Sequence, residues 1–340
     1  MLIDALTKAL ERTESLDAFW NKLDGGQDGA LGVASSARPF LVAARFTHKP
    51  QPTLVVVAGE DAADAFSRSL AAYVGEERVL RFFERSDFPF NPKTPDPRQV
   101  AKRMQALGSL ASGQPRIVVA SARSMLRALP PAGSDTWKPL SFSEGDDLSS
   151  LGSDEMASFD DVARSLEARG YQNTGELEGP GTFCVHGGAI DVYPGNLVYP
   201  VRLDFFGDEL DEIRRIVPST GQTIAELPSV EIYPVQEFAL SARGAHRAKE
   251  KLLNPAKTNP VLREMLEKLE GGARFDGSDA LLPYLYSTTS TLGDYLRSDT
   301  LTVLLEPRSL FDDASHAFED IEGRAKGSSI PVQGLYVAPA

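Results

Sequence analysis

The first third of the chain alternates short apolar runs with stretches of helical spacing. Leu6, Leu10 and Leu16 recur at helical intervals and predict a helix over Ile3–Leu16. Leu54-Val-Val-Val57 is wholly apolar, as a strand buried on both faces must be. Asp61 to Val74 reads as a helix, with Asp61 and Asp64 in its first turn and Gly75 just beyond its end. Val79–Phe83 is a second strand. Pro97–Leu110 is a helix capped by Asp96, with proline at its first position. A third buried strand, Arg116–Ser121, runs into a helix expected over Ala122–Leu129. Strands alternating with helices imply an α/β domain with a parallel sheet.

The pattern breaks at Pro130-Pro-Ala-Gly-Ser134, which reads as a linker. An acidic stretch from Glu144 to Asp161 leads into a helix ending near Gly170, and after Gly181 the hydrophobic period becomes two. Phe183–His186, Ala189–Tyr193 and Val201–Phe206 read as strands, and Gly207-Asp208 is a two-residue hairpin signal. Ile213–Val217 and Val230–Tyr233 are expected to continue that sheet. Helical spacing returns at Ala245–Leu253 and Pro260–Leu269. An aromatic segment (Leu281–Tyr286), a strand (Leu301–Leu305), a helix (Leu310–Ile321) and an extended tail (Gly323–Ala340) follow. The expected organisation is a parallel-sheet α/β domain (1–133) interrupted by an antiparallel α+β domain (134–237) and resumed over 238–340.

A length of 340 residues fits two or three such units. The net charge of −13 argues against a protein that coats DNA or an anionic membrane. That charge is local. Residues 1–140 carry 18 Lys/Arg against 15 Asp/Glu, residues 141–240 carry 5 against 19, and residues 241–340 carry 12 against 14. The predicted insertion therefore holds the whole imbalance, which fits either a solvated acidic domain or a surface suited to a protein partner. A single cysteine, Cys184, rules out an internal disulfide and a cysteine-based zinc site, and suits a reducing cytoplasm. No apolar run is long enough to span a bilayer, and Met1-Leu-Ile-Asp-Ala-Leu6 lacks signal-peptide character, so a cytoplasmic protein is expected. The four histidines lack ligand spacing, and no local nucleophile–base constellation is present, so neither a metal site nor a catalytic residue is expected.

One motif is nearly complete. Gly32-Val-Ala-Ser-Ser-Ala37-Arg38-Pro39 matches the spacing of the phosphate-binding loop G-x-x-x-x-G-K-[ST]. Ala37 replaces the second glycine, Arg38 replaces the phosphate-contacting lysine, and Pro39 replaces the metal-binding hydroxyl. The strand Leu301–Leu305 likewise has Leu305 where a metal-holding aspartate would sit, followed by Glu306. Together these predict a degenerate P-loop NTPase fold of RecA/helicase-like type, with no cofactor bound by this chain.

Phe183-Cys-Val-His-Gly-Gly-Ala-Ile-Asp-Val-Tyr-Pro194 and Pro200-Val-Arg-Leu-Asp-Phe-Phe-Gly-Asp-Glu-Leu-Asp-Glu-Ile-Arg214 are more distinctive. They resemble the R-G-G-x-[IL]-D-[VI]-[FY]-P…P-[VL]-R-[IL]-[ED]-F-[FW]-G-D signature of the bacterial transcription-repair-coupling factors, of which the excision-repair subunit UvrB carries a looser version. Gly32–Leu129, including Phe88–Arg98, and Ser287–Glu306, with its Thr291-Leu-Gly-Asp-Tyr-Leu296 stretch and following strand, resemble the same family, so the likeness covers nearly the whole chain.

The resemblance implies a non-catalytic, UvrB-like N-terminal module whose inserted domain binds UvrA. It also implies that RNA polymerase, double-stranded DNA, ATP and Mg²⁺ are handled by segments this chain does not contain. His186 stands where the family has the arginine before Gly-Gly, and Gln172 where some members have another. Arg169, Arg202, Arg214 and Tyr193 complete the candidate partner-binding set. Two other readings stay open on the residues alone: a nucleotide hydrolase with an unorthodox loop around Arg38, and a DNA-binding module.

Overall fold

The computed structural model describes residues 14–85, 95–150, 156–271, 275–328, 330 and 332–339. Most of the helix expected over Ile3–Leu16, most of Phe88–Arg98 and part of the acidic stretch lie outside the described residues. The first described helix, α1, is Glu14–Asp24. After it, residues 27–34 form neither helix nor strand. A single 3₁₀ turn (Ser35–Ala37) then leads into α2 (Arg38–His48).

Four parallel strands build the first sheet: β1 (Thr53–Val57), β2 (Val79–Phe82), β3 (Ile117–Ser121) and, from the far end of the chain, β12 (Leu301–Leu304). Their order is β12-β1-β3-β2. Every residue of β1 and β3 is buried because the sheet is covered on both faces. Val55, Val57, Ile117 and Val119 face α2 and α3 (Glu60–Val74), meeting Val42, Phe46, Phe66 and Leu70. Leu54, Val56, Val118 and Ala120 face the opposite way, toward Val100, Met104 and Leu107 of α4 (Pro97–Ser112). On that side lie also Leu310 and Ala314 of α9 (Pro307–Ala325). Alternating side-chain direction along a strand is what sends neighbours into different layers. The Asp96 side chain accepts from the Arg98 amide at 2.9 Å, and Gly113 ends α4 in the left-handed region.

Between β3 and β12 runs a mainly antiparallel six-stranded sheet, ordered β10-β9-β8-β7-β6-β5. Its members are β5 (Gln172–Asn173), β6 (Thr182–His186), β7 (Ala189–Val192), β8 (Val201–Phe206), β9 (Glu209–Ile216) and β10 (Thr223–Glu226). Phe183, Ile190, Val192, Val201, Leu203, Phe205, Leu210 and Ile213 form its inner face. They pack with Val162 and Leu166 of α5 (Phe159–Ala168) in the same apolar core that α4 enters. The contact between α4 and this unit is close. A Cβ on Gly195 would collide with the Pro97 carbonyl oxygen and sit 2.7 Å from the Ala101 Cβ, so only glycine fits.

Three sequence expectations change here. Val230–Tyr233 does not extend the large sheet. β11 (Ser229–Ile232) pairs instead with β4 (Leu140–Ser143), making a two-stranded stem where the chain enters and leaves the insertion. Residues 122–129 form one 3₁₀ turn (Arg123–Met125) rather than a helix, because their amides are used elsewhere. The Ala128 and Leu129 amides donate to the carbonyls of Leu335 and Ser290, at 2.9 and 2.8 Å. The tail is not wholly extended, since α9 runs on to Ala325, and Tyr336 bridges back to Arg127. The last third otherwise carries α6 (Ala242–Thr258), α7 (Pro260–Glu270) and the single turn α8 (Leu282–Leu285), which enclose a second apolar cluster.

The three stretches of chain meet at a buried ionic cluster. Arg103 of α4 donates through Nε to Glu237 at 2.5 Å. Arg85 Nη1 reaches Glu237 at 3.1 Å, and Arg85 Nη2 reaches Asp279 at 2.8 Å. Arg103 also lies over the Phe82 ring and donates to the Phe83 carbonyl. Burial disfavours the Glu237 charge, yet Arg103, Arg85 and Arg127 more than offset it and hold its carboxyl at about 2.

Candidate functional site

The incomplete phosphate loop and the incomplete metal strand come together in space. Arg38 Nη2 contacts Glu306 Oε1 at 2.8 Å, both side chains being partly exposed. Glu306 follows β12 in the left-handed region (φ 56°), unusual for a residue with a Cβ, and caps α9 ahead of Pro307. Leu305 packs against the apolar cluster of α2 and α3. Gly32 would tolerate a Cβ, with nothing within 4 Å, so no tight backbone approach requires it. No described strand feeds the loop, which leaves a loop–helix where the full motif has strand–loop–helix. The lysine-like cation is thus engaged by a carboxylate of the same chain. Farther along α9, beside Ala317 and Ile321, Glu84, Arg85, Arg123 and Arg127 line a cavity of about 20 Å³, room for about one water.

The second site is the outward face of the six-stranded sheet. Strand register defines three rows on it. Gln172, Thr182 and Tyr193 form the first. Cys184, Asp191, Arg202 and Arg214 form the second, and His186, Ala189, Asp204 and Glu212 the third. Five of the six candidate residues therefore share one face. Arg169 is the exception; it follows α5 and turns its guanidinium back to the Ser165 carbonyl at 3.3 Å.

Arg202 forms a bidentate pair with Asp191 on the next strand, Nε–Oδ1 2.6 Å and Nη2–Oδ2 2.7 Å. The hydrogen bond to Asp191 raises the Arg202 pKa. Arg214 donates to Asp204 from Nε at 3.0 Å and Nη2 at 2.6 Å, both bonds converging on the single oxygen Oδ2. Two of the three arginines that sequence offered as cationic contacts, Arg202 and Arg214, are thus already matched by carboxylates across the strands. Tyr193 belongs partly to the α/β unit, because its hydroxyl accepts from Arg98 Nη2 at 3.2 Å and donates to the Val198 carbonyl at 3.1 Å.

Two features of this face lie outside the six candidate residues or join them in a way the sequence did not show. Phe205 is buried against Phe159, whereas Phe206 is 84% exposed at the hairpin end of the same polar face. His186, also exposed, places Nε2 3.0 Å from the Sγ of buried Cys184. With Asp191 these make the one cluster among the described residues in which three or more ligand-type groups converge, each atom within 4.8 Å of the others. Burial, and then the Asp191 charge, push the Cys184 thiol up. The Cys-x-His spacing on a strand was the available signal, since residues two apart share a face.

Residues 150–238 match the family model for the UvrB interaction domain, which is the unit carrying this face. Similarity to known proteins extends further. The transcription-repair-coupling factor of Myxococcus xanthus is 31% identical over 327 residues, 91% of this chain and 26% of its own. Those of Bacillus subtilis (strain 168) and Mycobacterium bovis are 25% and 28% identical, over 89% and 84% of this chain. Along most of its length this chain is similar to the transcription-repair-coupling factors. It spans about a quarter of the length of the relatives it matches. The signature of that family falls on β6 to β9, so its Gly187-Gly188 is the β6–β7 turn and its Gly207-Asp208 the β8–β9 turn. Among the described residues no helix is long and apolar enough to cross a membrane.

Proposed function

We propose that this chain is a docking module of transcription-coupled excision repair, in which the outward face of β6–β9 binds a UvrA-type damage-recognition protein. The observation that carries the proposal is the coincidence of the UvrB interaction domain with a sheet face that is polar, paired internally and edged by an exposed aromatic. Exposed aromatics beside satisfied polar groups are the usual anchors of such interfaces. The role proposed for the α/β unit is scaffolding, without ATP turnover, because Arg38 is matched by Glu306 rather than left for a phosphate. Contacts with RNA polymerase and DNA, and ATP-driven movement, are assigned in this reading to other parts of the repair machinery. The site of action is the cytoplasm.

Calorimetric titration of the full chain with UvrA tests the proposal. Binding is expected, and Phe206→Ala should weaken it by about tenfold or more, as loss of an interface anchor does. Adding His186→Ala should weaken it further. No binding by the chain would remove the function. Undiminished binding by the double variant would move the interface off this face. An ATPase assay provides the second check: turnover lost on Arg38→Ala would favour the hydrolase reading instead.

A further inference from the structure

We propose that Cys184, His186 and Asp191 form a binding site for one zinc-type divalent cation, with a fourth position open to solvent. The argument starts from strand geometry. Cys184 and His186 are alternate residues of β6 and point the same way, and Asp191 is the register partner of Cys184 on β7. Tetrahedral zinc bonds of roughly 2.0–2.3 Å to S, N and O put ligand atoms about 3.3–3.7 Å apart. The three groups here, with Sγ and Nε2 at 3.0 Å and all atoms within 4.8 Å, bracket that spacing. Bringing the most distant pair closer by about 1 Å would satisfy it.

The surroundings fit a metal ligand set. Arg202 holds both oxygens of Asp191, which fixes the carboxylate as an outer-shell partner does. A carboxylate has about four lone-pair sites, so two remain for an ion. Cys184 is buried and His186 exposed, so an ion would enter from the solvent side and keep water as its fourth ligand. A thiolate, an imidazole and a carboxylate select zinc, cobalt or copper rather than magnesium or calcium. Binding exchanges the Cys184 S–H bond for an S–metal bond and releases that proton to solvent. One thiolate suffices here because nitrogen and oxygen complete the set, although a lone cysteine in the sequence argues otherwise.

Cobalt(II) titration of the metal-free 340-residue chain is the test. Cys184 is the sole cysteine, so a thiolate-to-cobalt charge-transfer band in the near ultraviolet can arise only from it. The expected result is a band saturating at one equivalent, bleached by zinc, absent in Cys184→Ser and at least about tenfold weaker in apparent affinity in His186→Ala. His186 is exposed, so its removal leaves the fold intact, which far-ultraviolet circular dichroism verifies. Absence of the band at millimolar cobalt would overturn the site. So would a band unchanged by His186→Ala, since the Cys184–His186 contact would then be a hydrogen bond alone. Neither outcome bears on UvrA binding, which is measured separately.

Discussion

Asp191 and Asp204 lie in adjacent rows on neighbouring strands, and their environments make them unequal. Asp191 is 5% exposed and takes both hydrogen bonds of Arg202, while Asp204 is half-buried and shares Arg214 with Glu212. Removing Arg202 strands a carboxylate that water barely reaches; removing Arg214 strands one that water can solvate. Arg202→Ala should therefore destabilise the fold by about 1–3 kcal/mol and Arg214→Ala by under about 1 kcal/mol. Urea unfolding midpoints of the two variants would check the ranking, and equal losses would contradict it. At this scale the sequence named the candidate residues but settled neither their facing nor their pairing. Phe205 and Phe206 are neighbours on one strand, so they point to opposite faces, but only the bulge after Asp204 and the packing on Phe159 decide which is buried. That Arg202 and Arg214 are internally matched follows from strand order, which no single residue displays.

At the scale of elements, local signals were most legible where they act locally. Asp96, Pro97 and Gly113 bound α4, and the buried runs at β1 and β3 read as strands because both sheet faces are covered. The misreadings arose where tertiary pairing claims the backbone. Residues 126–129 give their hydrogen bonds to the chain near 290 and 335–337, and β4 was missed although Leu140 and Phe142 alternate. Element contacts also set the next prediction. Gly195 lies against the first turn of α4, so Gly195→Ala forces backbone away from backbone and should cost about 1–3 kcal/mol. A substitution at Gly32, around which the same added Cβ meets nothing, should leave the unfolding midpoint unchanged; comparable losses at both would contradict this packing argument.

Across the whole molecule, the Arg85–Arg103–Glu237–Asp279 cluster ties β2 and α4 to the exit of the insertion and to the last third. Its partners are separated by 134 and 194 positions, so nothing in a local window could reveal it. Glu237→Gln would leave Arg103 buried against a neutral group, an expected loss of about 3–5 kcal/mol. The pH dependence has a definite sign. The Glu237 carboxyl is held at about 2 against an ordinary 4.5, so its stabilisation is complete above about 4.5 and disappears as pH falls toward 2. Unfolding measured across that window should fall more steeply for the parent protein than for Glu237→Gln. Parallel curves would show that the cluster does not carry the acid limb.

The close seat of Gly195 on Pro97 and Ala101 also constrains inheritance. The stem of β4 and β11 brings the two ends of the insertion side by side, which looks like a convenient seam for recombination between relatives. A transplanted insertion, however, must arrive with a residue at 195 that clears the recipient's first α4 turn. Exchange at the stem alone would pair surfaces that have not been selected together. Because the surface met there is the Pro97 carbonyl and the Ala101 Cβ, the insertions that can cross over are those that bring glycine at 195.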